Sequence, residues 1–207
     1  MPAPHTSTQD ERSEAARKLI IDAAIKLLAE EGYQRTTFTR IQDCAGVSRG
    51  LITYHFGSKA KLIEAVIAST RDTFSAEALE PLKEAATGLD AILGMITSYF
   101  DRLTVNPKPA AVMLVLAVSA DADAAEVKAA VSQRYAEMRQ ELYDWIERGR
   151  ADGSVASSIE PVSYAALLEG VIRGVALQYL VDPGTFDIRG ARDAAVRMVT
   201  AALAGSG

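Results

Sequence analysis

Cysteine and histidine are nearly missing from this chain, and each shortage closes off a class of chemistry. A lone cysteine, Cys44, allows no intrachain disulfide, so the fold must be held by its core, and a reducing interior suits it. As a small apolar filler inside a helix, Cys44 needs no redox role. The two histidines, His5 and His55, have no carboxylate or second cysteine at ligand spacing. No metal site and no cofactor is therefore expected, and His5 reads as an incidental polar residue. The chain has neither a glycine-rich phosphate loop nor a nucleophile elbow, so no residue is nominated as catalytic. The longest apolar run, Ala110 to Val118, is far short of the ~20 residues a spanning helix needs. No charged segment leads into an apolar stretch at the N-terminus. A cytoplasmic protein with no membrane partner is the expectation. There is no excess of positive charge either: the net charge is −5, which argues against indiscriminate nucleic-acid binding.

What is present is ordinary globular composition, 49% hydrophobic and 24% charged over 207 residues, enough for one large or two modest domains. The charge is unevenly spread. Residues 1–60 carry a net +1 and the remainder −6. Within 32–61 the basic residues are Arg35, Arg40, Arg49, Lys59 and Lys61, against Asp43 alone. Such a local concentration is the footprint a DNA-reading element leaves in an acidic protein.

That basic stretch has its own punctuation. Thr37 can cap a helix that stops at Gly46, and Ser48 can cap the next. Ile41, Ala45, Val47 and Ile52 are spaced to bury one side of both helices, leaving Arg40, Arg49, Thr53 and His55 outside. Two capped helices around a glycine corner describe a helix-turn-helix reader, and equally an αα-corner of a helical protein. The outer face of the second helix suits a major groove. Arg49 has the fork that matches guanine, Gly50 removes bulk, Leu51 and Thr53 present methyl groups, and Ser48, Tyr54, His55 and Lys59 supply polar or cationic contacts. Thr37 and Thr39 on the first helix complete the candidate DNA-binding set.

The run Ala45-Gly46-Val47-Ser48-Arg49-Gly50-Leu51-Ile52-Thr53-Tyr54-His55-Phe56-Gly57-Ser58-Lys59, followed by Leu62, resembles the DNA-binding signature of TetR-type transcriptional regulators. Gly32-Tyr33 and Thr36-Thr37 also sit where that family places a glycine corner and a phosphate-contacting threonine. The match covers about the first third of the chain. Gln42 stands where the family usually has alanine, which bears on how the two helices pack. Thr53 stands where it often has tyrosine, which bears on one phosphate contact. The resemblance implies an all-α homodimer with an N-terminal three-helix helix-turn-helix domain and a C-terminal helical domain for ligand binding and dimerisation.

The rest of the chain reads consistently with this. Residues 1–9 form a flexible arm, 10–57 the DNA-binding domain and 58–207 the effector-binding and dimerisation domain. Ser13 to Glu31 is an amphipathic helix burying Ala16, Leu19, Ile20, Ala23, Ala24, Leu27 and Leu28. Arg12 and Arg17 near its start read as solvated. Ser58 opens a helix that runs to about Glu80 and is stopped by Pro81. Further helices are expected from Leu89 to Asn106, from Pro109 to Ala120 with burial on all sides, and from Ala125 to Arg150 after a turn at Asp121–Asp123. The last two run from Pro161 to Leu180 and from Ile188 to Leu203. The first of this final pair has more apolar surface than one face needs, and Gly170 and Gly174 would admit a second helix closely. Leu168, Gly170, Val171, Gly174, Val175, Ala195 and Val199 are thus the expected dimer seam. Met95, Tyr99, Met113, Tyr135, Met138, Tyr143 and Trp145 are the candidate effector contacts, weighed against plain core. Arg139 and Glu169 could orient a polar ligand end, or Glu169 could pair with Arg173 four residues on. With these features, the resemblance implies a sequence-specific regulator of transcription, a repressor released from a double-stranded, palindromic operator by a small-molecule effector. The alternative is an architectural or division-linked DNA-binding protein with the same head and no effector.

Overall fold

In the computed structural model, which describes residues 6–119 and 125–204, every regular element is helical. His5 and the turn expected at Asp121–Asp123 lie outside the described residues. The α-helices are α1 Thr6–Glu31, α2 Phe38–Ala45, α3 Arg49–Phe56, α4 Lys59–Phe74, α5 Gly88–Val105, α6 Lys108–Ser119, α7 Ala125–Asp152, α8 Pro161–Val181 and α9 Ile188–Leu203. They divide into two compact units. One takes residues 1–70 and 111–131, the other 71–110 and 132–207. The first unit therefore extends past position 57, to Thr70, and includes most of α6.

In the first unit, α1 starts at Thr6, ahead of the expected Ser13, because no glycine or proline interrupts the polar stretch; positions 6–9 are helix, not arm. Its inward side is Ile20, Ile21, Ala23, Ala24, Leu27 and Leu28. Leu19, expected in that set, is 53% exposed, and Ile21 takes its place. The helix packs on α2 and α3, whose anchors are Ile41, Ile52 and Phe56. On α6, Val112, Met113 and Leu116 are buried while Val118 is 84% exposed. An apolar composition with a single inward stripe thus replaces the burial on all sides that composition alone suggested.

Ser58 opens α4 as expected, its Oγ accepting from Lys61 N at 3.2 Å. The single helix to Glu80 does not form. After Phe74 the chain widens into a π-helical turn, Ser75–Leu79, and then tightens into a 3₁₀ turn, Glu80–Glu84. Pro81 has no N–H to continue the ladder and its ring crowds the carbonyl four residues back, so the turn before it opens.

The second unit is built on α5, which packs along α9 and α8. Its Ile92, Met95, Ile96, Phe100 and Leu103 meet Leu142, Trp145 and Ile146 of α7, Ala165, Leu168, Ile172 and Ala176 of α8, and Ala195, Val199 and Leu203 of α9 in one core. Thr87 caps α5, accepting from Asp90 N at 3.1 Å. The helix then starts so close to α7 that a Cβ on Gly88 would stand 2.2 Å from Gly149 N. Only glycine fits there, and Asp152 Oδ2 accepts from Gly88 N at 2.8 Å to fix the junction. By length and composition α8 could cross a membrane, yet one side of it is part of this core.

Candidate nucleic-acid interface

The turn between α2 and α3 is assembled by side chains bonding to backbone. Thr37 Oγ1 accepts from Arg40 N at 3.3 Å and Ser48 Oγ from Leu51 N at 3.2 Å, so each helix begins with a satisfied donor. Between them Gly46 adopts φ +68°, and its N–H bonds to Gln42 O at 2.9 Å. Upstream, Thr36 is fully buried and donates to Gly32 O at 2.8 Å, which ties the end of α1 to the start of α2.

With Ile52 and Phe56 turned inward, α3 exposes Arg49, Gly50, Thr53 and Tyr54. Arg49 and Thr53 are one helical turn apart, as are Gly50 and Tyr54. Tyr54 is 79% exposed, unusual for a ring of its size, and it is presented as a partner-contacting group would be. Thr53 Oγ1 donates back to Arg49 O at 3.1 Å, leaving its lone pairs and methyl outward. Thr37 and Thr39, at the start of α2, are exposed as well. Leu51 is half-buried and offers only part of its side chain.

Two of the expected contacts are otherwise engaged. Lys59 Nζ donates to Tyr33 O at 2.6 Å and stands 3.9 Å from the centre of the Tyr33 ring. Burial holds its pKa below the ordinary lysine value. It therefore clips the start of α4 to the corner after α1. His55 is half-buried, its ring centre 5.3 Å from that of Tyr54 in an edge-to-face arrangement and its Nε2 enclosed with no hydrogen-bond partner. The neighbouring cations are also unequal. Arg40 is bound to Glu31, and Lys61 to Glu64 at 2.9 Å. Arg17 lies over the Phe56 ring at 5.7 Å. Arg49 and Arg35 remain without an ion pair among the described residues, so the positive charge available to a duplex is narrower than the residue count implied.

The other expected sites are redistributed. Met95, Tyr99, Met138 and Trp145 belong to the core of the second unit, Tyr143 packs against it, and Tyr135 is half-buried. Met113 lies in the first unit. Met95, Met138 and Trp145 thus fill space between helices. Of the expected dimer seam, Leu168, Ala195 and Val199 are buried inside their own chain and cannot meet a second copy. The outward side of α8 instead carries Leu167, Gly170, Gly174, Leu177 and Val181, with Val171 and Val175 at its margins. A Cβ on Gly170 or Gly174 would meet nothing within 4 Å. Helical phase explains the correction: the apolar set covers both sides of α8, and counting residues does not tell which stripe the chain's own core takes.

Comparison with known proteins agrees with this geometry. Residues 20–66 match the family of bacterial regulatory proteins called tetR, and residues 88–204 match the C-terminal domain of BetI-type transcriptional repressors. The chain is 26% identical over 188 residues to the HTH-type transcriptional regulator TtgR of Pseudomonas putida, covering 87% of each. To the regulator BetI of Rhizobium meliloti it is 32% identical over 98 residues, 47% of this chain and 48% of that one. Among solved structures, FadR of Bacillus subtilis in complex with stearoyl-CoA superposes with a TM-score of 0.78 at 20% identity, covering 89% of this chain and 98% of the other.

Proposed function

The chain belongs to the TetR family of bacterial DNA-binding transcriptional regulators, and from that we propose that it is a cytoplasmic homodimeric repressor, released from a palindromic operator when a small molecule binds its C-terminal unit. The observation that carries the DNA half of this reading is the outer face of α3: Arg49, Gly50, Thr53 and Tyr54 are exposed on a helix capped and braced by its own chain. A short helix anchored from behind, with an unpaired arginine in its first turn, is suited to enter a major groove.

The dimer reading is supported by apolar surface that the protomer leaves uncovered. Leu167, Leu177 and Val181 on α8 and Met198 on α9 are each about half or more exposed, and Gly170 and Gly174 between them leave room for close helix approach. A twofold dimer carries two copies of α3, one for each half of a palindromic operator. Effector control is supported by likeness to FadR, solved with stearoyl-CoA.

The test is a selection from sheared genomic DNA with the full chain. It should enrich one twofold-symmetric sequence with half-site centres about one helical turn (~34–36 Å), or a multiple of it, apart. Enrichment of nothing above bulk DNA would overturn the reading.

A further inference from the structure

The second unit contains an arginine cluster that neither core packing nor DNA contact explains. Arg134 on α7 is nine-tenths buried. A guanidinium withdrawn from water normally lies in a fork of acceptors, because its desolvation is otherwise uncompensated. Arg134 has no such fork. Its acidic neighbour among the described residues is Glu137 Oε2 at 3.9 Å, beyond hydrogen-bond reach, and the other oxygen of Glu137 faces Arg71 at 3.7 Å.

Arg173 on α8 is in the same condition. It is packed 5.0 Å from the Tyr135 ring centre and 5.4 Å from that of Tyr99, and Nη1 donates to Tyr99 Oη at 2.8 Å. Its Nε is enclosed with no acceptor, and Nη2 is 4.0 Å from Glu169 Oε1. Glu169 is itself committed: Oε2 accepts from Arg139 at 3.0 Å, while the buried Oε1 has no donor. Each of the two glutamates is therefore shared by two guanidiniums. Arg71 has its own carboxylate in Asp72, at 2.9 Å. Four arginines thus face three carboxylates, leaving one positive charge in excess beside aromatic rings. Burial, and after it the charge of Arg173, push the Arg134 pKa down, and the shared carboxylates of Glu137 and Glu169 only partly oppose them.

A carboxylate meets this demand. It is acceptor-only, its two oxygens match the planar fork, and its single charge balances the excess. We infer that Arg134 and Arg173, between α5, α7 and α8, receive the carboxylate of a small organic acid, with its apolar body against Tyr99 and Tyr135, and that such an acid is the effector. The inference rests on the reading of the C-terminal unit as a sensor, and it names the chemistry of that sensor.

The test uses the full-length protein with octanoate, benzoate and phenylacetate, each beside its uncharged amide, followed by thermal shift and calorimetry. At least one acid should raise the Tm while its amide does not. Arg173→Gln should weaken that acid at least tenfold with the helical circular dichroism unchanged. Arg134→Met should abolish the acid-induced shift and, by removing an unpaired buried charge, leave the Tm of the unliganded protein equal or higher. Amides that shift the Tm as much as acids, a panel with no binder, or an Arg134→Met protein that is sharply less stable would overturn the inference; the last would make Arg134 a structural ion. Operator affinity is measured separately by fluorescence anisotropy. If an acid binds as described but leaves operator affinity unchanged, the site stands and the sensor reading fails. If an uncharged compound releases the DNA while no acid binds, the regulator reading stands and this site fails.

Discussion

Replacing Arg49 with alanine separates recognition from folding, because nothing in the chain depends on that side chain. It is exposed in the first turn of α3 and makes no ion pair or hydrogen bond among the described residues. A cation at a helix N-terminus also opposes the helix dipole, so alanine should hold α3 at least as well. The unfolding midpoint should accordingly stay close to wild type, since surface changes of this kind fall within ~0.5 kcal/mol. DNA binding should not. A bidentate arginine–guanine contact contributes ~1–3 kcal/mol of discrimination, and a twofold dimer makes it twice. The loss on an intact operator is then ~2–6 kcal/mol, or from ~30-fold to above 10⁴-fold in Kd. Fluorescence anisotropy at fixed salt measures it. The decisive arm replaces the contacted guanine symmetrically in both half-sites: wild type should lose affinity, and Arg49→Ala should lose little more. An Arg49→Ala protein that binds the intact operator within threefold of wild type would refute the assignment of α3 as reader. So would one whose Tm collapses, since that would reveal an intramolecular partner.

Lys59→Met should show the opposite pattern, reducing stability by ~2 kcal/mol through the lost charged hydrogen bond to Tyr33 O and the ring contact. Because burial lowers the Lys59 pKa in the folded state, the unfolded chain binds more protons between that lowered value and 10.5. Wild-type stability relative to Lys59→Met must therefore rise with pH across that window, which denaturant titration at several pH values checks. Gly46→Ala forces a Cβ into φ +68° and should cost ~1–2 kcal/mol, read as a lower Tm. Gly170→Ala with Gly174→Ala should favour the exposed helix by ~1 kcal/mol per site yet weaken the dimer in analytical ultracentrifugation; an unchanged dimer constant would remove these glycines from the interface. Glu160 caps α8 through bonds from Val162 N and Ser163 N, and the Ser163 side chain, with these backbone bonds, lowers its pKa below 4.5. Its contribution is present above that value and disappears as pH falls through the folded-state pKa, so Glu160→Ala should flatten the acid limb of the unfolding curve.

The parts of this molecule legible from sequence are those encoded over a few residues. Thr37, Gly46 and Ser48 cap and turn the reader where their chemistry demands, since a cap depends on its own neighbours three positions away. The parts that were not legible depend on residues distant in the chain. The clip of Lys59 to Tyr33 joins positions whose separation no local rule specifies, and it gives a residue expected at the phosphate backbone a contact within the fold. The phase of α8 was hidden for the same reason: an almost wholly apolar helix has two admissible inward stripes, and α5 and α9 select the one through Leu168 and Ile172.

Arg134 was the informative exception, because its signal was in the sequence. Val131, Arg134, Met138 and Leu142 recur at helical spacing, which puts a guanidinium in the buried stripe of α7. A charge in such a stripe is costly unless something compensates it. Glu169 and Arg173 mark the facing stripe of α8 in the same way, between Ala165 and Ala176. Met95, Met138 and Trp145 mark the core of the second unit, since large apolar side chains are what fill one. Charges at apolar positions mark instead the places where folding leaves an electrostatic demand unmet, and that demand is what a ligand can satisfy.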